Sequence, residues 1–212
     1  MRIPICGKVL LAAVMITGST SLWAQDTIGP NRKLLPIDTA VTYSAERTQL
    51  APGNCGCFWL QGGGIDAGLT LWRGFGIAAS LTGDHISNYA PGLDLNKVTY
   101  VGGPRYTYTV RTHREGSMEK LQMQIFGEGL FGRVYAFDGT FPSSTGLRST
   151  AGSLALGTGG GIGVLFSRSF GVRLLEADYI RTELPNGYSN TQNDLRLAFG
   201  LNYHFGSVPQ TR

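Results

Sequence analysis

Charge is scarce in this chain of 212 residues. Asp, Glu, Lys and Arg together make up 15% of it, against roughly 25% in soluble globular proteins. Intrinsic disorder, which needs high charge and low hydrophobicity, is therefore excluded. No apolar run reaches the roughly 18 residues of a membrane-spanning helix, and mean hydropathy is near zero, at −0.01. The basic residues are dispersed rather than gathered into a groove interleaved with aromatics, so nucleic acid is not an expected partner despite a formal charge of +4.

Glycine, by contrast, is abundant, with 31 residues, and aromatics make up 10%. Each glycine in a helix interior costs about 1 kcal/mol relative to alanine, so this density handicaps helices. The composition predicts an all-β protein.

Residues 1–24 read as a secretory signal peptide. Arg2 and Lys8 form the positive n-region, Val9–Ile16 a short apolar core, and Ala24 a small residue at the cleavage point. Cys6 leaves with it. Cys55 and Cys57, flanking Gly56, would meet an oxidising compartment; a loop disulfide and two free thiols both remain open. Residues 25–36 read as a periplasmic linker, 37–206 as the folded domain and 207–212 as a tail.

From residue 37 the chain alternates apolar with small or polar residues at period two, in eight segments of about ten residues. They centre on Val41–Glu46, Trp59–Leu71, Phe75–Thr82, Thr99–Val110, Leu121–Phe131, Leu154–Val164, Leu175–Tyr179 and Leu195–Phe205. The links Arg73-Gly74 and Arg168-Ser169 are short and Thr112–Ser117 is intermediate. The links Gln49–Cys57, Asp138–Gly152 and Pro185–Asp194 are longer and turn-rich. Mostly short turns at one end and long loops at the other describe an up-and-down barrel, and transmembrane β-barrels have this asymmetry.

The faces carry the inside-out signature. One is large and apolar, with Trp59, Trp72, Tyr100, Tyr106, Tyr108, Tyr179, Tyr203 and Phe205 toward strand ends. The other carries Glu46, Asp66, Arg105, Glu128, Glu176, Asp178 and Arg196 among Gly, Ala, Ser and Thr. An eight-stranded interior is only just wide enough to be filled by side chains, and buried charges must pair. Arg105 and Arg196 are therefore expected to face Glu128, Glu176 and Asp178 in one structural lumen network. A secreted lipocalin-like barrel, apolar inside, is the alternative.

Near the C-terminus, Gly200, Tyr203 and Phe205 resemble the terminal signal read by the barrel-assembly machinery of bacterial outer membranes. Ala198 stands where that pattern has a polar residue, and Gly206–Arg212 follow the final aromatic. The stretches Cys55–Gly63, Gly103–Tyr106, Ala177–Thr182 and Gln192–Arg196 resemble an outer-membrane β-barrel-domain family of Acidobacteria, broadly with the small OmpA/OmpX-like barrels. The resemblance covers nearly the whole mature chain and implies fold and location, with no activity attached.

Catalytic signatures are sparse. Gly127–Gly132 matches G-x-G-x-x-G, but no helix is expected after it, as a dinucleotide site requires. His85, His113 and His204 stand apart with no zinc-ligand spacing, and there is no G-x-S-x-G elbow. Asp84, His85 and Ser87 could serve a lipid-modifying enzyme, but read more simply as a strand end entering a loop. The expectation is a monomeric, non-enzymatic outer-membrane barrel without cofactor or metal. Its partners would be membrane lipids, lipopolysaccharide and the assembly machinery, and its alternatives a narrow pore, a lipid-modifying enzyme or the lipocalin-like binder.

Overall fold

The computed structural model describes residues 36–48, 58–90, 92–111, 122–167, 169–187 and 190–205. The signal segment, Cys55, Cys57 and the 112–117 link lie outside them. Eight strands follow one another: β1 (Ile37–Thr48), β2 (Phe58–Trp72), β3 (Phe75–Ala90), β4 (Leu93–Arg111), β5 (Gln122–Ser143), β6 (Gly146–Leu165), β7 (Phe170–Thr182) and β8 (Gln192–Phe205). Each pairs antiparallel with the next, and β8 closes on β1, Ile37 lying opposite Phe205. Closure satisfies every strand edge, the condition for placing a sheet in lipid.

The register fixes the tilt. From Glu46 one cross-strand row passes through Arg196, Asp178, Gly159, Glu128, Arg105, Gly76 and Thr70. The Thr70 amide then donates to the Pro36 carbonyl at 3.1 Å. The row thus re-enters β1 ten residues before it left. Ten residues rise roughly 33 Å and eight strand spacings cover roughly 38 Å, so the strands tilt by about 40°, as small barrels require.

Burial alternates as the sequence alternates. Val41, Ile65, Leu81, Phe131, Leu156 and Leu201 face outward, while Thr42, Asp66, Thr82, Gly132, Ala155 and Asn202 belong to the inner face or pack closely beside it. The polar interior and apolar exterior are the reverse of a lipocalin. Between Ile37 and Arg47 the outward face of β1 spans ten residues, about 25 Å along the tilted axis, the height of a transmembrane barrel's apolar band. At the end where β1 begins and β8 ends, Phe75 packs on Tyr106 at 4.7 Å, Phe170 on Tyr203 at 4.9 Å and Tyr203 on Phe205 at 4.5 Å. Positive φ at Arg73 (48°) and Gly74 (88°) makes the β2–β3 link a two-residue hairpin of the primed kind.

Two expectations need correcting. The stretch Asp138–Gly152 is not a loop: β5 and β6 run on through it to a tight turn at Ser144-Thr145. Asp138, with φ 62°, sits at a register shift that moves the inward positions from even to odd, so Phe141 turns in. This break in period two hides the strand from an alternation argument. Likewise Asp84, His85 and Ser87 lie within β3, not at a loop entrance.

Candidate functional site

The chemistry-bearing side chains of the barrel are concentrated in its lumen. Among the largest fully buried side chains are Arg173, Arg196 and Lys97, residues that are almost never buried unless paired. All three are paired.

The main network is continuous. Arg105 donates from Nε to Glu128 Oε2 at 2.6 Å, and its two terminal nitrogens reach Asp38 Oδ2 and Asp66 Oδ1, each at 3.3 Å. Asp66 faces Arg173 at 3.4 Å, and Arg173 pairs with Glu176. Glu176 is shared with Arg196, at 3.3 Å. Arg196 closes a forked pair on Asp178 Oδ2, at 2.9 Å from Nε and 2.6 Å from Nη2, and donates to Thr82 Oγ1 at 3.2 Å. Both contacts fall on one carboxylate oxygen, and charge-assisted hydrogen bonds of this kind are roughly twice as strong as neutral ones. Phe126 lies between the guanidiniums of Arg105 and Arg173, 4.7 and 4.9 Å from its ring centre.

Small residues make this possible. A Cβ on Gly159 would overlap Asp178 Oδ1, one on Gly68 would press on Asp38 and Arg105, and one on Gly161 would come within 2.8 Å of the Phe126 ring. The glycines of the inner face are the space into which their neighbours' long side chains fold.

Of the seven charged residues expected in the lumen, Asp66, Arg105, Glu128, Glu176, Asp178 and Arg196 meet in this network. Glu46 does not. It pairs with Lys97, which also reaches Asp194 Oδ2 at 2.5 Å, forming a separate buried triad. Nearby, Ser44 donates to Asp84 Oδ1 at 2.6 Å. Glu46 shares its cross-strand row with Arg105, but that row climbs the barrel, so their heights differ by most of its length. Parity gave the face; the ten-residue stagger gave the level.

Four participants were missed. Asp38, Lys97 and Asp194 have the inward parity of their strands but lie just beyond the segments drawn from the sequence. Arg173 has the wrong parity: it is odd, as are the outward Leu175 and Tyr179. The register shifts between Arg173 and Glu176, and Leu174 and Leu175 both face outward, 55% and 50% exposed. This β-bulge swings Arg173 inside. Two consecutive outward leucines between Arg173 and Glu176 were the available signal.

The upper lumen is filled differently, by Leu60 of β2, Leu95 and Val101 of β4, Leu130, Val134 and Phe141 of β5, Ile180 of β7 and the following Leu184. Gln192 anchors the turn above, donating to the Leu184 carbonyl and accepting from the Leu184 amide, both at 2.8 Å.

No protein-family model and no curated protein matches the chain. Among solved structures, Neisserial surface protein A is similar with a TM-score of 0.51 at 15% identity, over 80% of this chain and 97% of that one. The fold is that of an outer-membrane eight-stranded barrel. Ail, the attachment invasion locus protein of Yersinia pestis, aligns over 81% of this chain and 99% of its own at 13% identity, with a TM-score of 0.47.

Within this fold the remaining candidates separate. Asp84 points into the barrel while His85 and Ser87 point out, so the three do not converge. His85 instead shares hydrogen bonds with Asn96 Oδ1 and Ser87 Oγ, each at 2.8 Å. His204 faces Gln124 at 3.2 Å inside the lumen. Gly127–Gly132 is continuous strand in β5. Gly200 approaches β1 so closely that a Cβ would collide with the Val41 carbonyl, while Tyr203 and Phe205 lie on the outer face of the closing strand.

Proposed function

We propose that this chain is a non-enzymatic barrel of a bacterial outer membrane, acting through the structure it presents at the end opposite the start of β1 and the end of β8. The observation that carries the reading is the filled lumen. With guanidiniums, carboxylates and an apolar cluster from the described residues occupying the interior, the barrel reads as a plugged rather than an open one, and what remains for function is its exposed rim. There the β5–β6 hairpin extends past its neighbours. β4 pairs with β5 no further than Phe137, and β7 with β6 no further than Ala155, leaving the tip laddered only to itself.

Membrane lipids and lipopolysaccharide are the partners that fit the exterior. Arg47, Arg133 and Arg181 face outward. Arg47 shares a row with Leu195, Tyr179, Thr158 and Gly129. Arg181 stands two residues above that row and Arg133 four above it. Allowing for the fall of the row around the barrel, the three lie within about 3 Å of one level. A ring of cations just above an apolar band suits the phosphates of an outer leaflet. The motifs resembling an acidobacterial barrel-domain family, and the terminal Gly200, Tyr203 and Phe205, support export and machinery-assisted assembly of a monomer.

Unboiled protein is expected to migrate differently from boiled protein on a detergent gel and to fractionate with outer membranes. Recovery as a detergent-free soluble monomer would overturn the reading. Steady conductance in a planar bilayer would favour the narrow pore instead, and an altered lipid profile on expression the lipid-modifying enzyme.

A further inference from the structure

The main lumen network is short of positive charge. Its carboxylates are Asp38, Asp66, Glu128, Glu176 and Asp178, and its cations are Arg105, Arg173 and Arg196, leaving it two charges negative. Lys97 is engaged with Glu46 and Asp194, and no further Lys or Arg is buried among the described residues. Asp38 is a fifth exposed and reaches solvent, but the other carboxylates are buried, and excess charge on them is strongly unfavourable unless something compensates it.

Carboxylate oxygens without a hydrogen-bond partner also occur on Glu46, Asp66, Asp84 and Asp194, but three carboxylates converge at one place. Carboxylate oxygens of Glu128, Glu176 and Asp178 lie within 4.8 Å of one another, and all three residues are buried. Each outer member of the trio is held by an arginine through one oxygen only: Glu128 Oε2 by Arg105 and Asp178 Oδ2 by Arg196. Their other oxygens, Glu128 Oε1 and Asp178 Oδ1, have no hydrogen-bond partner, although Asp178 is fully buried and Glu128 is 6% exposed. The backbone explains where those oxygens go. Glu128 and Asp178 flank Gly159 in one cross-strand row, and a Cβ on Gly159 would overlap Asp178 Oδ1. The unpaired oxygen of Asp178 therefore occupies the space over Gly159, between its own strand and that of Glu128.

We propose that Glu128, Glu176 and Asp178 bind a divalent cation of the Ca²⁺ or Mg²⁺ kind over Gly159. The donors are all carboxylate oxygens, which hard cations prefer, and no His or Cys donor accompanies them, so zinc is disfavoured. One divalent ion neutralises the network. Arg105 and Arg196 then act as the outer layer that orients Glu128 and Asp178 through their second oxygens, while Glu176, engaged by Arg196 on Oε1 and by Arg173 on Oε2, contributes its charge and shares an oxygen with the ion. Water could donate to the free oxygens but would not remove the charge. This site is independent of the surface role proposed above.

The test uses the folded barrel in lipopolysaccharide-free zwitterionic detergent, freed of metal by chelation. Calorimetric titration with CaCl₂ and with MgCl₂ is expected to show one ion per barrel, and the thermal midpoint to rise on adding the ion and fall again with EDTA. Gly159→Ala leaves every charge in place and drives Asp178 Oδ1 out of the space over residue 159; at least a tenfold loss of affinity is expected. Glu128→Gln should lose as much, but it also releases Arg105, so Gly159→Ala is the deciding variant. Glu183→Gln, on the exposed surface, should bind as the parent does. Absence of binding at millimolar CaCl₂ and MgCl₂, with a midpoint indifferent to EDTA, overturns the proposal and assigns the missing charge to bound protons. Undiminished binding in Gly159→Ala overturns it as well, because the ion then sits elsewhere.

Discussion

The lumen is filled in two ways. Toward the end where β1 begins and β8 ends, Arg105, Arg173 and Arg196 thread between carboxylates around Phe126. Toward the other end, Leu60, Leu95, Val134, Phe141 and Ile180, from β2, β4, β5 and β7, pack as an ordinary apolar core. Both fill the same lumen with side chains, so filling alone does not require charge. The apolar half tolerates loss gradually, because each residue contributes by contact area and the cavity left behind. The charged half is brittle, because removing one partner strands another in a medium that solvates it poorly.

The strongest way to break this contrast is Arg105→Ala. It leaves Glu128 without its 2.6 Å partner and weakens the hold on Asp38 and Asp66. A loss of about 3–5 kcal/mol is expected, read by urea titration of the folded barrel with the gel shift as the probe. A negligible effect would mean that Arg105 reaches solvent, and the assignment of inner and outer faces would fail with it. Lys97→Met sharpens the same point. Alone it strands Glu46 and Asp194 and should cost a similar amount, whereas Lys97→Met combined with Glu46→Leu and Asp194→Leu should recover most of the loss, since a well-packed apolar replacement of a buried ion group is often neutral or stabilising. If the triple variant is the least stable, the triad contributes specificity that packing cannot replace.

In the apolar half, Leu60→Ala should cost about 2–4 kcal/mol by the same titration, and the loss should change little between low and high salt. A marked salt dependence would show that Leu60 supports the neighbouring Lys97 triad rather than the apolar cluster. The smallest effect belongs outside both regions: Arg148→Ala, exposed on the protruding hairpin, should stay within about 0.5 kcal/mol. A larger loss would mean that the hairpin tip is part of the cooperative fold.

Much of this was legible in the residues. Alternation at period two, glycine on one face and large apolar side chains on the other specify strands with one side toward lipid and one toward a crowded interior. Parity alone puts Asp66, Arg105, Glu128, Glu176, Asp178 and Arg196 inside. It failed at two irregularities, near Asp138, where three residues of β5 stand opposite one of β6, and between Arg173 and Glu176, where β7 carries one extra residue, because each breaks the period-two alternation on which the rule depends. Asp38, Lys97 and Asp194 were within reach of the same rule, had their segments been extended by a few residues.

What the sequence by itself determined is therefore a matter of faces. The pleat repeats every two residues whatever the chain pairs with, so the sidedness of each strand is a local property. What only the tertiary structure decided is level and company. The ten-residue stagger that closes the barrel lifts Glu46 away from Arg105 and hands it to Lys97, and it sets Glu128 and Asp178 on either side of Gly159. No property of a single strand encodes that stagger. It comes from closing all eight strands at once, and every partnership in the lumen depends on it.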